Sequence, residues 1–330
     1  MLNSSTLSLL NSSKNLLAFS AGGDSTALFF LLLEHNISFD IAIVDYGVRA
    51  QSKEEVAYAQ ELARNYHVEC FVYNADTITN NFEANARKIR YDFFESLIKK
   101  FNYNNLLTAH HLGDRFEWML MQFCRGAGCA ELSGMKEVEQ KSGYTLVRPL
   151  LHLDKSELLQ YLHDKRIKYF EDESNRDEKY QRNYFRRHHS QPLLEKHLKG
   201  IKKSFEYLDE DVDDFLHDIS IKKVKDFAYF KSSRHKRSDI FAIDKYLKKE
   251  GYLLSEKDRE ELKNSKTIIV SRKIVVNQRE DYIFISPYMI IKSMPKEFKE
   301  KMRILKVEPK LRAYIYENKE LELFITSLLS

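Results

Sequence analysis

Between residues 15 and 109, short apolar runs alternate with longer amphipathic stretches, and this alternation leaves few folds open. Asn15–Phe19, Phe39–Val44, Val68–Tyr73 and Leu106–Ala109 read as strands, short and apolar. Thr26–His35, Lys53–Tyr66 and Glu83–Phe101 carry helical spacing, and in the last of these Ile89, Phe93, Leu97 and Phe101 recur on one face. Strand–helix alternation of this kind predicts an α/β fold with a parallel, doubly wound sheet. Eight of the ten glycines precede residue 150, so the second half is expected to be built differently. A chain of 330 residues defaults to two domains. A link near Gln191–Pro192 divides residues 1–195 from a smaller, mainly helical domain at 196–330. Helical pattern runs to about Asn264, after which Thr267–Val276 and Tyr282–Ser286 alternate like a small antiparallel pair.

The net charge of +4 permits an anionic partner without demanding one. Arg186, Arg187, His188, His189, Lys196, Lys199, Lys202 and Lys203 form one basic stretch, and Lys231, Arg234, His235, Lys236 and Arg237 another. An acidic run from Glu206 to Asp214 lies between them. Solvated faces and nucleic-acid footprints both fit such runs. Cys70, Cys124 and Cys129 form no C-x-x-C pair, which argues for a reducing compartment and against a zinc or iron–sulfur centre. No leader pattern opens the chain and no apolar run reaches membrane-spanning length, so a cytoplasmic protein without a membrane partner is expected.

Phe19-Ser20-Ala21-Gly22-Gly23-Asp24-Ser25-Thr26 leaves the first strand and opens the first long helix. A small-residue turn there presents backbone N–H groups at the positive end of a helix dipole, which suits an anion. Gly22 and Gly23 allow close approach and φ > 0, Ser20 and Ser25 add hydroxyls, and the Asp24 carboxylate suits a divalent cation between phosphate oxygens. No lysine follows the glycines, which excludes the Walker A pattern. An ordinary capped helix start fits the same residues.

His110-His111-Leu112-Gly113-Asp114-Arg115-Phe116-Glu117 follows the strand ending at Ala109. With a helix beginning near Gly113, Asp114 and Glu117 share one face, where two carboxylates suit magnesium or a substrate ammonium. The histidines suit phosphate contact or acid–base work, while acids placed to complement a helix dipole are the plainer explanation. The segment from Tyr169 to Asn175, followed by Tyr180, Arg182, Asn183 and Arg186, mixes acids, amides and arginines too densely for a core element. It reads either as a polar capping loop or as a substrate-facing loop.

In order, these segments resemble the PP-loop ATP pyrophosphatases, and more narrowly the tRNA(Ile)-lysidine synthetases. The S-G-G-x-D-S pattern is similar to Ser20–Ser25, D-H-G-L-R to Asp45–Arg49, and E-x-x-A-R-x-x-R-Y to Glu83, Ala86, Arg87, Arg90 and Tyr91. A-H-H-x-x-D-x-x-E-T resembles Ala109–Trp118, R-G-x-G matches Arg125–Gly128, and R-P-L-L stands at Arg148–Leu151. The E-D-x-S-N-x-D-x-x-Y-x-R-N-x-x-R pattern is similar to Glu171, Asp172, Ser174, Asn175, Asp177, Tyr180, Arg182, Asn183 and Arg186.

The resemblance implies a PP-loop, adenine nucleotide α-hydrolase-like catalytic domain at 1–195 and a helical plus small-β tRNA-binding domain at 196–330. It implies ATP and Mg2+ as cofactors, L-lysine and tRNA(Ile) with a CAU anticodon as partners, and lysidine formation through an adenylated wobble cytidine. By the same resemblance Ser20, Ala21, Gly22, Gly23, Asp24, Ser25, Asp45 and His110 bind the nucleotide. Asp24, Asp114 and Glu117 are the catalytic candidates, with metal at Asp24 and Asp114. Arg87, Arg90, His111, Asp172, Asn175, Arg182 and Arg186 contact substrate or tRNA. Three departures stand out: Ala21 for glycine, tolerable only at φ < 0, Tyr46 for histidine and Trp118 for threonine. They keep a non-catalytic RNA-binding paralogue open, and tRNA thiolation is the nearest other activity. Monomer and homodimer are both left open.

Overall fold

The computed structural model describes residues 1–47, 51–78, 80–171, 181–216 and 219–330. They form two compact units, Met1–Asp209 and Glu210–Ser330.

The first unit opens with helix α1 (Ser4–Asn11) and is built on a six-stranded sheet. Its strands are β1 (Asn15–Ala18), β2 (Phe39–Asp45), β3 (Cys70–Asn74), β4 (Asn105–Leu107), β5 (Val138–Lys141) and β6 (Tyr144–Val147), in the order β3-β2-β1-β4-β6-β5. All neighbours are parallel except the β5–β6 pair. Leu16, Leu17, Ile41, Ala42, Leu106 and Leu107 are fully buried because helices cover both faces of the central strands. Those helices are α2 (Gly23–Glu34), α3 (Gln51–Tyr66), α4 (Phe82–Phe101) and α7 (Lys155–Asp164). In α4 the buried side chains are Ala86, Phe94, Leu97 and Ile98, one step round from the expected stripe, with Ile89 and Phe93 only half-buried. Phe93-Phe94 and Leu97-Ile98 make the apolar face wide enough for either reading, and packing selects the second of the first pair.

After β1 the chain winds outward through β2 and β3, then returns to place β4 on the other side of β1. That reversal is the topological switch point, where open α/β sheets bind ligands beyond the carboxyl ends of their strands. The segments after β1 and after β4 meet there. Helices α5 (Leu112–Phe123) and α6 (Cys129–Ser133) follow β4, and α8 (Gln181–Phe185), a π turn (Arg186–Ser190) and α9 (Gln191–Leu216) close the unit.

The expected link near Gln191–Pro192 is instead continuous helix. Pro192 follows closely on the π turn, and the Gln191 N–H reaches back five residues to the Arg186 carbonyl, the wider winding that runs into the proline. The 195/196 boundary expected from sequence and the Asp209–Glu210 division both fall inside α9.

The second unit carries an antiparallel sheet of β7 (Lys222–Val224), β8 (Phe227–Lys231), β9 (Thr267–Val270), β10 (Ile274–Gln278) and β11 (Tyr282–Pro287), ordered β7-β8-β11-β10-β9. Helices α10 (Lys236–Lys249) and α11 (Glu256–Asn264) belong to the core containing Ala228, Ile283 and Ile285. Helices α12 (Lys296–Ile304), α13 (Pro309–Tyr316) and α14 (Lys319–Leu329) belong to the core containing Phe227, Val275 and Phe284. Strands β7 and β8 stand where helix was expected, and Thr267–Val276 resolves into two strands rather than one.

Candidate active site

The turn after β1 has a different backbone from the one expected. Ala21, not a glycine, takes the left-handed conformation, at φ +60, while Gly22 is extended at φ −73. The condition of φ < 0 at Ala21 is therefore overturned, at a cost of roughly 1–2 kcal/mol for a non-glycine residue. A bond from the Phe170 N–H to the Ala21 carbonyl at 2.9 Å and a parallel bridge between Gly22 and Phe170 hold the turn in that shape. A Cβ on Gly23 would lie 3.2 Å from Leu159, so this glycine admits α7 rather than a phosphate. Ser25 braces the loop, accepting from the Ser20 N–H at 3.2 Å and donating to the Gly22 carbonyl at 3.1 Å, with the two serine hydroxyls 3.1 Å apart.

Helix α2 begins at Gly23 without a side-chain cap, leaving its first-turn N–H groups outside the intrahelical ladder and facing the switch point. Asp24 lies in that turn. Its Oδ1 is buried without a hydrogen-bond partner, and its Oδ2 is 3.7 Å from His111 Nε2. A buried carboxylate oxygen without a donor is the feature a hard cation satisfies, so the residues fit a magnesium ion carried on nucleotide phosphates. Among the described residues no group of three or more His, Cys, Asp or Glu side chains forms a ready-made metal site, which leaves phosphate oxygens and water to complete such a shell.

Across the switch point His111 caps α5. Its Nδ1 accepts the Gly113 N–H at 3.0 Å, while Asp114 Oδ2 accepts the His111 N–H at 3.1 Å, completing a capping box. With Nδ1 so engaged, the proton of the neutral ring sits on Nε2, which lies 3.5 Å from Asp114 Oδ2 as well as near Asp24. A Cβ on Gly113 would come within 2.7 Å of His111 Cε1. Gly113→Ala therefore turns the imidazole away. The gain in helix propensity, about 1 kcal/mol, offsets a lost cap of similar size. A thermal melt should move little while turnover falls at least about tenfold.

Asp114 and Glu117 do share one face of α5, and Arg182 and Arg186 meet them there. Arg182 Nη2 donates to Asp114 Oδ1 at 2.9 Å and its Nε to Glu117 Oε1. Arg186 Nη2 reaches Asp114 Oδ1 at 3.0 Å and its Nε reaches Glu117 Oε2 at 2.8 Å. Residues 182 and 186 are one turn apart, so α8 and the π turn present both guanidiniums to one side of α5. Burial works against ionisation of Asp114, but His111, His110 and the two arginines outweigh it and hold its pKa well below the usual carboxylate range. Among the described residues three carboxylates face two guanidiniums here, and Asp24 is the member not paired with an arginine.

His110 is bound through Nδ1 to the Thr108 hydroxyl at 2.9 Å, and burial pushes its pKa down to about 4, helped by Arg148, Arg182 and Arg87 and opposed by Asp114. It is neutral near pH 7 and offers hydrogen bonds rather than charge. Asp45 ends β2 and caps a turn through the Gly47 N–H at 2.8 Å. Arg87 and Arg90 stand exposed on α4, Arg87 over the Tyr91 ring at 4.8 Å. Neither aromatic departure fills the site: Tyr46 donates to the Ala86 carbonyl at 3.0 Å, and Trp118 lies against Gly134. Asp172 and Asn175 lie outside the described residues. Sequence reasoning missed Arg115, the buried cation between the two α5 carboxylates, whose only signal is a charge on an amphipathic helix next to a motif acid.

An uncapped helix start and an acid–arginine quartet, facing each other at the switch point of a parallel sheet, define a nucleotide-binding α/β protein. A family model described as a PP-loop domain matches residues 2–193. The chain is 41% identical to the tRNA(Ile)-lysidine synthase of Helicobacter pylori strain J99, over 93% of this chain and 90% of that one. It is 44% identical to the enzyme of that name from Wolinella succinogenes, over 93% and 94%, and 42% identical to that from Campylobacter jejuni serotype O:2, over 95% of each. Among solved structures, a U34-tRNA thiolase from Methanococcus maripaludis superposes with a TM-score of 0.51 at 19% identity, covering 64% of this chain and 75% of that one, a likeness of fold alone. The chain belongs to the PP-loop family and, within it, to the tRNA(Ile)-lysidine synthases.

Proposed function

We propose that this enzyme joins L-lysine to the wobble cytidine of tRNA(Ile) bearing a CAU anticodon, in the cytoplasm, with ATP as the activating substrate. The observation that carries the reading is the placement of Asp24, uncompensated at the start of α2, opposite the Asp114–Glu117–Arg182–Arg186 quartet. The triphosphate rests on the first turn of α2. Asp24, with Asp114 near it, would hold magnesium, which when bound neutralises phosphate charge.

The chemistry divides into two displacements. The cytidine 2-oxygen forms a bond to the α-phosphorus as the bond to pyrophosphate breaks. The lysine ε-amine, having lost its proton, then attacks C2, and AMP departs with the oxygen it activated. A ring carbonyl is a poor electrophile, so the first displacement supplies the leaving group for the second. Positioning and charge complementarity provide most of the rate. Guanidinium matches carboxylate and phosphate alike. Arg182 and Arg186 are therefore suited to exchange Asp114 and Glu117 for phosphate oxygens, and Glu117, so freed, to take the lysine ammonium. Arg87, Arg90, Asp172 and Asn175 are assigned to the RNA side. Residues 196–330 are assigned to tRNA binding, where one cavity within the second unit is lined by Arg234, Lys236 and Arg279 together with Asp239, Glu280 and Asp281.

No described helix is long and apolar enough to cross a membrane. The test is nucleoside mass spectrometry on tRNA(Ile) incubated with the protein, ATP and lysine. Lysidine is expected, formed only when all three are present. A sulfur-bearing nucleoside, or ATP turnover indifferent to tRNA, would refute the reading.

A further inference from the structure

Arg115 sits between the two α5 carboxylates yet turns away from them. It is only 6% exposed. Its Nε and Nη2 both donate to the Ser133 carbonyl, at 3.0 and 2.9 Å, and Nη2 also reaches Asp209 Oδ1 at 2.7 Å. The guanidinium lies 4.2 Å from the centre of the Phe205 ring. The same Asp209 oxygen accepts from the Ser133 hydroxyl at 2.8 Å and from Lys136 at 3.0 Å. One buried cation thus ties together α5, the end of α6 and the second half of α9. Trp118, one turn on along α5, adds a contact to Gly134, where a Cβ would come within 2.8 Å of its ring.

The course of the chain makes this tie a mechanical one. Arg186 and Asp209 are separated by 23 residues (209 − 186), which would span roughly 35 Å as straight helix. Their partners on α5, Glu117 and Arg115, are two residues apart, about 3 Å of rise. Helix α9 therefore has to fold back, and it does so at His197, whose φ −131 and ψ 23 are not helical. Beyond that kink Phe205 packs with Leu112, Phe116 and Leu194. Helix α5 is gripped on one side by Arg182 and Arg186 and on another by the Arg115–Asp209 cluster.

We propose that Arg115 is a positioning residue for the lysine-transfer step, setting the rotation of α5 and hence where Asp114 and Glu117 present their oxygens. This inference rests on the function proposed above. A side-chain oxygen lies about 5–6 Å from its helix axis, so a 15° roll moves it by about 1.5 Å, well outside the roughly 0.5 Å tolerance of a working site. Two donors to one carbonyl resist such a roll, and a single ammonium does not. Asp209 is suited to its part. Burial opposes its charge, but hydrogen bonds from Arg115, Ser133 and Lys136 outweigh that and lower its pKa.

The test is steady-state lysidine formation by Arg115→Met, Arg115→Lys and Asp209→Asn, varying lysine and ATP separately, with thermal melts alongside. Arg115→Met is expected to lower kcat/KM for lysine about 10- to 100-fold, while KM for ATP, whose triphosphate rests on the first turn of α2 and meets α5 only through Asp114, changes several-fold less. Arg115→Lys, keeping the ion pair but not the fork, should recover part of the loss, and Asp209→Asn should show a smaller loss of the same selectivity. If Arg115→Met does not fold, the selective losses in the other two variants carry the test. Equal losses toward both substrates that track the folded fraction, or no change for lysine, overturn the proposal. A wild-type protein that makes no lysidine removes the proposed function and this inference with it, whereas active wild type with unaltered variants removes only the inference.

Discussion

Asp24→Asn should abolish tRNA- and lysine-dependent pyrophosphate release while leaving the fold intact. The substitution is nearly isosteric, and what it removes is charge. Asp24 contributes a favourable dipole interaction at the α2 N-terminus worth roughly 0.3–1 kcal/mol. Against this, its Oδ1 is buried without a partner, a desolvation cost that falls when the charge is lost. The two terms are of similar size and opposite sign, so the melting temperature should shift by no more than a few degrees. Activity has no such compensation. In the proposed mechanism Asp24, paired with no arginine among the described residues, is available to a phosphate-bound cation, and loss of one electrostatic contact of that kind costs about 100- to 1000-fold. Pyrophosphate release followed beside a thermal melt separates the two effects. Near-wild-type turnover in the variant would place the triphosphate elsewhere.

The first unit was legible because its signals agree. Short apolar runs, small-residue turns and helical spacing all favour a parallel sheet, and the turn after β1 marks the switch point even in sequence. The β5–β6 hairpin escaped notice, since Val138–Lys141 is largely exposed and carries little apolar pattern. In the second unit the reason differs. Phe227 and Ala228, Val275 and Val276, and Phe284 with Ile283 and Ile285 point to opposite faces of a sheet that is packed on both. Alternation is then erased, and a short apolar run does not distinguish strand from buried helix. The β7–β8 turn is made by Lys225 at φ +55, where a glycine or asparagine would have announced a hairpin.

For the site, it was the family resemblance, carried by motifs in order, that brought Asp24, His111, Asp114, Glu117, Arg182 and Arg186 into one group, since residue types alone left each segment with a plainer reading. What joins them was not legible. Nothing in Ser20–Ser25 indicates that Ala21 rather than a glycine takes positive φ, because that depends on Phe170, about 150 residues away (170 − 21 = 149). Nor does spacing indicate that the arginines' partners are the motif carboxylates themselves, or that Arg115 faces Ser133 and Asp209. Such pairings come from tertiary packing, which a linear pattern does not encode.

Glu117→Gln is expected to weaken both stability and catalysis, unlike Asp24→Asn. Glu117 is 1% exposed, and each of its oxygens accepts from a guanidinium Nε, Oε1 from Arg182 and Oε2 from Arg186. Glutamine keeps one acceptor and turns an NH2 toward the other arginine, so two donors face each other and the quartet loses half its negative charge. Removing one partner of a buried ion pair costs roughly 3–5 kcal/mol. Here Arg182 and Arg186 are about one-third exposed, at 34% and 28%, so solvent recovers part of that. A loss of about 2 kcal/mol remains after this discount. Asp114 does not take over, because its Oδ1 already serves both guanidiniums and its Oδ2 the His111 N–H. Combining Glu117→Gln with Arg186→Gln should restore part of the stability, giving a coupling energy of at least about 1 kcal/mol in chemical denaturation, since the second change removes one of the two guanidiniums left sharing Asp114 Oδ1. Activity should stay low in the double variant, because the proposed lysine site still lacks its carboxylate. Additive stabilities would show that Glu117 and Arg186 do not depend on each other, and a double variant that recovers lysine transfer would show that the glutamate serves the fold alone.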